Sequence, residues 1–396
     1  MSDNVHLDLG LEGPPRNHRV VVAMSGGVDS SVTAALIKEA GYEVIGITLQ
    51  LYDNGTATGR PGSCCAGQDI HDARRVANQI QIPHYVLNYQ DRFKEAVIDD
   101  FADSYLRGET PLPCVRCNER IKFSDLLTAS KNLGAKVLAT GHYARSSLGS
   151  LGPELHAAKD LSRDQSYFLF ATQKNQLSYL RFPLGVFPKE FVREQAKRFN
   201  LPVAKKPDSQ DICFVPDGNY AKVIEKLRPG AAQPGLIVDS TGKRLGMHKG
   251  TINYTIGQRR GLGISGKEPI YVTSIDPLKH LVYVGTREEL MADQILIDDV
   301  SWLTNRNFDK DYLVKVRIRS THKGTPANLS WNGHNSLIVK LHQPEFATSA
   351  GQACVIYDGT RVLGGGWISR MLRANSKILP SRMINRSNET EKIRNI

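Results

Sequence analysis

The sequence predicts an α/β protein continued by β structure: a doubly wound parallel-sheet domain at the N-terminus, a small central domain and a C-terminal β-barrel. Three observations predict it. From Arg19 to about Gly141, β-rich runs alternate with segments whose apolar residues recur at helical spacing, the pattern of a parallel sheet covered on both faces. After about residue 215 the chain turns to short β-rich runs punctuated by Gly, Asp-Pro and Asp-Gly, which suits a barrel or sandwich. At 396 residues the chain also exceeds one ordinary core. The expected division is a disordered leader over 1–18, the parallel-sheet domain over 19–217, the central domain over 218–290, the barrel over 291–371 and a basic tail over 372–396.

In the first half, Val20 to Met24 reads as a buried strand. Val32, Ala35, Leu36 and Ala40 then mark a helix that Gly41 stops. Glu43 to Leu51 is a second strand, and Ile70, Ala73, Val76, Ala77 and Ile80 stripe a second helix before a short strand at His84 to Leu87. Phe93, Val97, Phe101 and Tyr105 sit four apart, and Phe123, Leu126, Leu127 and Ser130 continue the helical pattern up to a strand at Val137 to Thr140. In the second half, β-rich runs cover 235–246, 271–285, 312–320, 336–342 and 352–364, with a hairpin signal at Asp358-Gly359. Between Tyr312 and Ser320, apolar Tyr312, Val314, Val316 and Ile318 alternate with Lys315, Arg317 and Arg319. One strand face is therefore core and the other basic, which suits either RNA or a solvated edge strand.

Fifty-one Lys plus Arg against 40 Asp plus Glu give a net charge of +11, which favours a polyanionic partner. No apolar run approaches the roughly 18 residues of a membrane helix. The first residues carry acids and no apolar core, unlike a secretory or transit peptide. The six cysteines, Cys64, Cys65, Cys114, Cys117, Cys213 and Cys354, are too few and too irregular for a secreted disulfide scaffold. A cytoplasmic protein with reactive or metal-bound thiols is expected.

The chemistry begins in Ser25-Gly26-Gly27-Val28-Asp29-Ser30-Ser31, where the first strand meets the first helix. Ligands of open parallel sheets bind beyond the carboxyl ends of the strands. Glycines let backbone N–H groups approach a phosphate closely, and the helix N-terminus favours anions. Asp29 would repel phosphates unless a cation intervenes, so Mg²⁺ between them is the economical reading. The same string would also make a plain turn with Asp29 or Ser30 as N-cap; it is neither a Walker A loop nor a dinucleotide turn.

In GETPLPCVRCNERIKFSDLL, prolines keep the approach extended and the helix is expected to begin near Asn118. That would set Cys117 at a helix N-terminus beside Arg116, where dipole and charge favour a thiolate. Cys114 and Cys117 also have half a zinc site's spacing. Cys213, in AKKPDSQDICFVPDGNY, reads on its own as a structural cysteine. His142 follows a strand at the sheet's carboxyl edge, and Ser162 with Gln165 fits a capping box around Arg163, Asp164 and Gln165. Gln258-Arg259-Arg260 is a second basic site in a Gly-rich loop.

SGGVDSS, PCVRCN, ATGHYAR, RDQSYFL, KKPDSQDICF, GQRRGLGI and GQACVIYDG, in that order, resemble the tRNA-specific 2-thiouridylase family from about Arg19 to Ser369. SGGVDSS itself resembles the PP-loop of ATP pyrophosphatases. The resemblance implies an ATP-dependent sulfurtransferase that adenylates C2 of the wobble uridine of tRNA. It then replaces the oxygen with sulfur from a cysteine persulfide, giving 2-thiouridine, AMP and pyrophosphate. It implies Cys213 as the persulfide carrier, Cys117 as its partner and a transient Cys117–Cys213 disulfide. ATP would be bound by Ala23, Met24, Ser25, Gly26, Gly27, Val28, Asp29, Ser30, Leu49 and Gly141, with Mg²⁺ at Asp29. tRNA would meet His142, Arg163, Asp164, Gln165, Arg319, Ser320 and Gln352, with Leu112, Pro113 and Cys114 beside the target base. A cysteine desulfurase or a sulfur carrier would donate the persulfide. Many relatives read Asn-Pro-Asp where this chain has Leu112-Pro113-Cys114, so Cys114 is a rival disulfide partner for Cys117. Two other readings remain: another PP-loop activity, such as a lysidine or amide-forming synthetase, which needs neither thiol; and a non-catalytic zinc-containing RNA-binding protein.

Overall fold

The computed structural model describes residues 7–52, 65–208, 212–215, 218–264, 268–304, 312–333, 335–346 and 348–372. In the N-terminal domain, strands β1 (Arg19–Ala23), β2 (Glu43–Gln50), β3 (His84–Asn88), β4 (Val137–Thr140) and β7 (Leu180–Arg181) form a parallel sheet in the order β3-β2-β1-β4-β7. Because side chains alternate along a strand, Val20 and Val22 of β1 enter one core and Val21 the other. The first core packs helices α1 (Val28–Glu39), α2 (Cys65–Gln79) and α3 (Lys189–Arg198) on one face of the sheet. Phe123, Leu126 and Leu127 cover the other face. The domain is doubly wound, and its order reverses between β1 and β4, the switch point at which such sheets bind ligands.

The central module is a four-stranded sheet of β8 (Gly235–Val238), β9 (Arg244–His248), β10 (Tyr271–Asp276) and β11 (Leu281–Gly285), ordered β10-β11-β8-β9 around Ile237, Val272, Val282 and Val284. The last module is a closed barrel. Strands β12 (Met291–Trp302), β13 (Leu313–Arg317), β14 (Thr325–Trp331), β15 (Ser336–Phe346), β16 (Ala353–Asp358) and β17 (Arg361–Leu372) pair in the order β12-β15-β14-β13-β16-β17, and β12 pairs with β17 to close the ring. The β16–β17 turn falls at Gly359-Thr360, one residue beyond the Asp358-Gly359 signal.

A hairpin of β5 (Ala144–Gly149) and β6 (Gly152–Ala157), in the N-terminal domain by sequence, extends the barrel sheet: Leu155 and His156 pair with Val362 and Arg361. Val355, Tyr357 and Trp367 of the barrel share a core with Tyr167 and Phe170. The Arg116 guanidinium lies 3.9 Å from the Trp367 ring, and Tyr167 donates to the Ala353 carbonyl at 2.9 Å. The barrel is thus part of the N-terminal domain's packing.

Three expectations are corrected here. Leader residues expected to be disordered are packed from Leu7 onward: Leu7 and Leu9 are buried in the first core, and Arg181 Nε donates to the Leu9 carbonyl at 2.6 Å. Residues 1–6 and the basic tail from 373 lie outside the described residues. The basic face of β13 is only partly a surface, and β13 is no edge, since β14 and β16 flank it. Arg317 turns inward to the Asp164 carboxylate at 2.5 Å and over the Tyr167 and Tyr357 rings. Asp164 in turn accepts from the Ala158 and Ser166 amides, so Ser162 and Gln165 make no capping box; Gln165 accepts instead from the Tyr143 amide at 2.9 Å. Asp164→Ala leaves the Arg317 charge unpaired at a largely buried site and is expected to cost about 3–5 kcal/mol of stability. Denaturant unfolding checks this, with a shift under about 1 kcal/mol contradicting it.

Candidate active site

The turn from β1 to α1 is built by backbone constraints. Gly26 has φ +74°, and a Cβ there would lie 2.2 Å from the Asp69 carbonyl oxygen, so only glycine fits. A Cβ on Gly141, just past β4, would lie 2.7 Å from the Ser30 nitrogen, so β4 ends directly against the start of α1. Ser30 Oγ accepts from the Ser25 amide at 3.1 Å and donates to the Gly27 carbonyl at 3.3 Å, closing the loop. Gly27 caps α1 with no side-chain bond, which leaves the first-turn amides to an outside acceptor. This cradle fits phosphate. Met24 and Val28 bury their side chains in the first core and offer only backbone; Ala23 and half-buried Leu49 end β1 and β2 at the same edge.

Asp29 already has a cation. Its Oδ1 accepts from Lys189 Nζ at 2.6 Å and from the Tyr143 hydroxyl at 2.9 Å. Lys189, buried at 5% exposure, also meets Asp208 at 2.8 Å, and Asp208 pairs with Arg193 at 2.5 Å and Arg163 at 3.2 Å. Burial works to raise the Asp208 carboxyl, but the Lys189 bond and charge, with Arg193 and Arg163, hold it below the usual range. A second brace holds the turn from the side. Lys206 Nζ donates to the Gly26 carbonyl at 3.1 Å, to Asp69 at 2.6 Å and to Asp72 at 2.7 Å. Burial works to lower the Lys206 ammonium, and the two carboxylates raise it. Lys189 thus already offers Asp29 a neutralising charge, and a metal held there would share Asp29 with it.

The helix carrying Cys117 begins at Pro113, not near Asn118. Leu112 is the N-cap, Pro113 the first residue, and the α-helical Pro113–Cys117 segment runs into a π-helical stretch over Asn118–Asp125. Cys114 thus lies in the first turn and is exposed, whereas Cys117 lies a turn deeper and is buried against Phe93, Ile121 and Phe214. Burial pushes the Cys117 thiol up despite Lys122, which overturns the expected resting thiolate. Cys213 is exposed as a residue, but the protein atoms crowded around its thiol, with Cys117 and Cys114 nearby, push it up to about 12. Three thiols share one neighbourhood beyond the carboxyl end of β2. Because the thiolate fraction rises tenfold per unit below the pKa, alkylation of Cys213 by iodoacetamide is expected to increase about tenfold per pH unit between about pH 7 and 9. Peptide mass spectrometry reads this; a plateau below about pH 8 would contradict it.

Among the described residues no three His, Cys, Asp or Glu side chains are grouped to hold a metal ion. Cys64 lies outside them, and of Cys65 only the backbone is described. His142 packs edge-on to Phe123 and Phe182 and is hydrogen-bonded to Thr140 Oγ1 at 2.9 Å. Burial, then Lys122, pushes its ring down to about 3, so it is neutral at physiological pH. Arg319 and Gln352 line a cavity of about 260 Å³ with Thr110, Ile256, Phe346 and Ser349, where all three modules meet. Gln352 Nε2 donates to the Thr110 carbonyl at 2.8 Å, two residues before Leu112. Ser320 gives its carbonyl to Arg317. Arg259 and Arg260 are exposed on a turn that the Gln258 side chain closes, accepting from the Thr255 amide at 3.0 Å and donating to the Arg260 carbonyl at 3.0 Å.

Sequence reasoning missed Lys189, Tyr143, Arg193, Asp69 and Asp72. Lys206 and Asp208 stand inside a quoted motif, KKPDSQDICF, and their charges were the available signal. Lys189, in FPKEF, carries no local signal; only the tertiary fold brings it to Asp29.

A glycine turn with an uncapped helix start at the switch point of a parallel sheet, joined to two β modules and a thiol cluster, defines a HUP-type nucleotide-binding domain with β-barrel appendages. Family models described as tRNA methyl transferase HUP domain, tRNA methyl transferase PRC-barrel domain and Aminomethyltransferase beta-barrel domain match residues 18–217, 222–286 and 292–368. The tRNA-specific 2-thiouridylase MnmA of Rhodospirillum centenum is 58% identical over 370 residues, covering 91% of this chain and 94% of that one. The protein of the same name from Rickettsia bellii is 58% identical over 356 residues, covering 90% and 97%. The chain belongs to the tRNA-specific 2-thiouridylase family, whose members are sulfur-transferring transferases. Among solved structures, a 4-thiouridine synthetase–RNA complex with bound ATP shares 18% identity at a TM-score of 0.32, covering 51% of this chain and 46% of that one, too slight a likeness to bear on the site.

Proposed function

We propose that this chain uses ATP to activate the C2 oxygen of the wobble uridine of tRNA and replaces that oxygen with sulfur carried as a persulfide on Cys213. One observation supports this reading above the others: the segment that braces the phosphate cradle also carries the sulfur. Lys206 bonds the Gly26 carbonyl and Asp208 the Lys189 ammonium. Cys213 follows Lys206 by seven residues, a reach of at most about 25 Å.

ATP supplies the adenylyl group that makes the uridine oxygen a leaving group, with pyrophosphate as the other product. The Gly26-Gly27 turn and the first amides of α1 hold the phosphates; Lys189 and Tyr143 fix Asp29, and Mg²⁺ would share Asp29 with Lys189. Leu49 and Gly141 bound the site at the ends of β2 and β4. With the base held beside Leu112, Pro113 and Cys114, the terminal sulfur of the Cys213 persulfide forms a bond to C2, and AMP leaves with the original oxygen. Cys117, as thiolate, then attacks Cys213 Sγ. The S–S bond of the adduct breaks, its electron pair goes to the departing sulfur as the thiocarbonyl, and a Cys117–Cys213 disulfide remains. Cys117 must first lose the proton that burial favours, and Cys213 must lose its own earlier, when it takes up the persulfide. Arg319, Ser320, Gln352, His142, Arg163 and Gln165 complete the tRNA surface, while Asp164, turned inward to Arg317, steadies the segment between them. Of these, Arg319 and Arg163 offer charge, and His142 a neutral ring. The sulfur arrives from a cysteine desulfurase or a carrier protein.

Nucleoside analysis of tRNA incubated with the protein, ATP, Mg²⁺ and a persulfide source tests the reading. New 2-thiouridine that requires ATP is expected. Its absence with folded, ATP-binding protein would remove the reading.

A further inference from the structure

Cys114 has no part in the steps above beyond lying next to the base, yet it belongs to the same thiol cluster. Cys114 and Cys117 are three residues apart on one helix. That spacing brings their Cβ atoms to about 5–6 Å, about 1–2 Å beyond the separation a disulfide spans. The first helical turn, where Cys114 lies, has no preceding turn to hold it, so a small adjustment of the chain joins the two sulfurs. Their exposures are opposite: Cys114 is exposed and Cys117 is buried. Cys213 lies near enough to both for their charges to raise its thiol.

We propose that Cys114 is a resolving thiol: after each sulfur transfer it takes Cys117 from Cys213 and leaves a Cys114–Cys117 disulfide that is open to solvent at its Cys114 sulfur. The proposal rests on the Cys117–Cys213 disulfide of the reading above. In the exchange, the Cys114 thiolate attacks Cys117 Sγ. The Cys114–Cys117 bond forms, the Cys117–Cys213 bond breaks, and its electron pair leaves with Cys213 as thiolate. No net oxidation occurs in this step. The two electrons owed from the sulfur transfer are supplied afterwards by an external dithiol reductant, which exchanges with the exposed Cys114 sulfur. Being intramolecular, the attack has an effective concentration far above that of any free thiol. Cys213 is thereby returned to the persulfide donor before the reductant arrives, so reloading and reduction need not occur together.

Trypsin cuts after Arg116, Arg120 and Lys222, so Cys114, Cys117 and Cys213 fall on three separate peptides and every pairing is readable by mass. The protein is loaded with persulfide, given ATP and tRNA for one turnover without reductant, quenched with acid and digested. Cys114–Cys117 is expected as the main disulfide of the unsubstituted protein, and Cys117–Cys213 in Cys114→Ser and Cys114→Ala. With a dithiol reductant present, the ratio of later turnovers to the first turnover is expected to fall about tenfold in both variants, whatever their first-turnover rate. The proposal is overturned if the unsubstituted protein ends in Cys117–Cys213, or if that ratio is unchanged in the variants. A protein that thiolates but shows no disulfide at Cys213 in any form would instead refute the underlying reading, which separates the two failures.

Discussion

Cys213→Ser is expected to reduce 2-thiouridine formation to background, a loss of more than about 1,000-fold, while ATP binding is retained. A hydroxyl cannot carry sulfane sulfur, so the variant has no species to deliver to C2. ATP binding survives because the cradle is made by the backbone at Gly26, Gly27 and α1, and its braces, Lys189 and Lys206, make their bonds without Cys213. The pair of readouts matters: a variant that neither binds ATP nor thiolates has lost its fold, whereas one that thiolates at the unsubstituted rate takes the persulfide assignment away from Cys213. Cys117→Ser is expected to load persulfide on Cys213 and stop there.

Gly26→Ala is expected to weaken ATP binding by about 100-fold or more. Two costs combine. The left-handed conformation at φ +74° costs an L-residue about 1–2 kcal/mol, and the new methyl would sit 2.2 Å from a backbone oxygen of α2 that has no side-chain freedom to withdraw. The turn must open, moving the first amides of α1 away from the phosphates and stretching the Lys206 bond to the Gly26 carbonyl. Gly359→Ala provides the comparison. It has a similar φ of +57° but open space around it, so it should lose stability by about 1 kcal/mol and keep its ATP affinity. Equilibrium binding of ATP to both variants checks the pair; equal affinities would mean that Gly26 forms no part of the phosphate site.

What was legible in the sequence followed the range of the interaction that fixes each feature. The glycine turn was legible because the strand, the two glycines and the helix start are contiguous from Val20 to Ser31. The barrel half was legible for the same reason, as apolar alternation is local. The cation for Asp29 was not. Lys189 comes from 160 residues away, and with no sign of it a metal was the simplest source of positive charge. Arg317 was read as surface because its strand alternates, but Asp164, 153 residues earlier, draws it inward. Cys117 shows a different failure. Pro113 was read as the end of an extended approach, yet its fixed φ and missing N–H suit the first position of a helix equally well. That moved the helix start by about one turn and changed Cys117 from a favoured thiolate at a helix end to a buried thiol. The consequence is chemical: burial favours the protonated thiol at Cys117.

These observations converge on a division of labour. Lys206 and Asp208 brace the β1–α1 turn, and the Cys213 thiol follows a few residues later in the chain. The barrel, held to the N-terminal domain by Trp367, Tyr357 and the Asp164–Arg317 pair, completes a cavity that reaches Thr110, just before the first turn that carries Cys114.

The central claim is that the uridine oxygen leaves on AMP. Transfer RNA labelled with ¹⁸O at C2 of the wobble uridine, turned over once with ATP and persulfide-loaded protein, tests it directly. One labelled oxygen per 2-thiouridine is predicted in the phosphate of AMP, with unlabelled pyrophosphate. Label released as water, or found in inorganic phosphate alongside ADP, would contradict it.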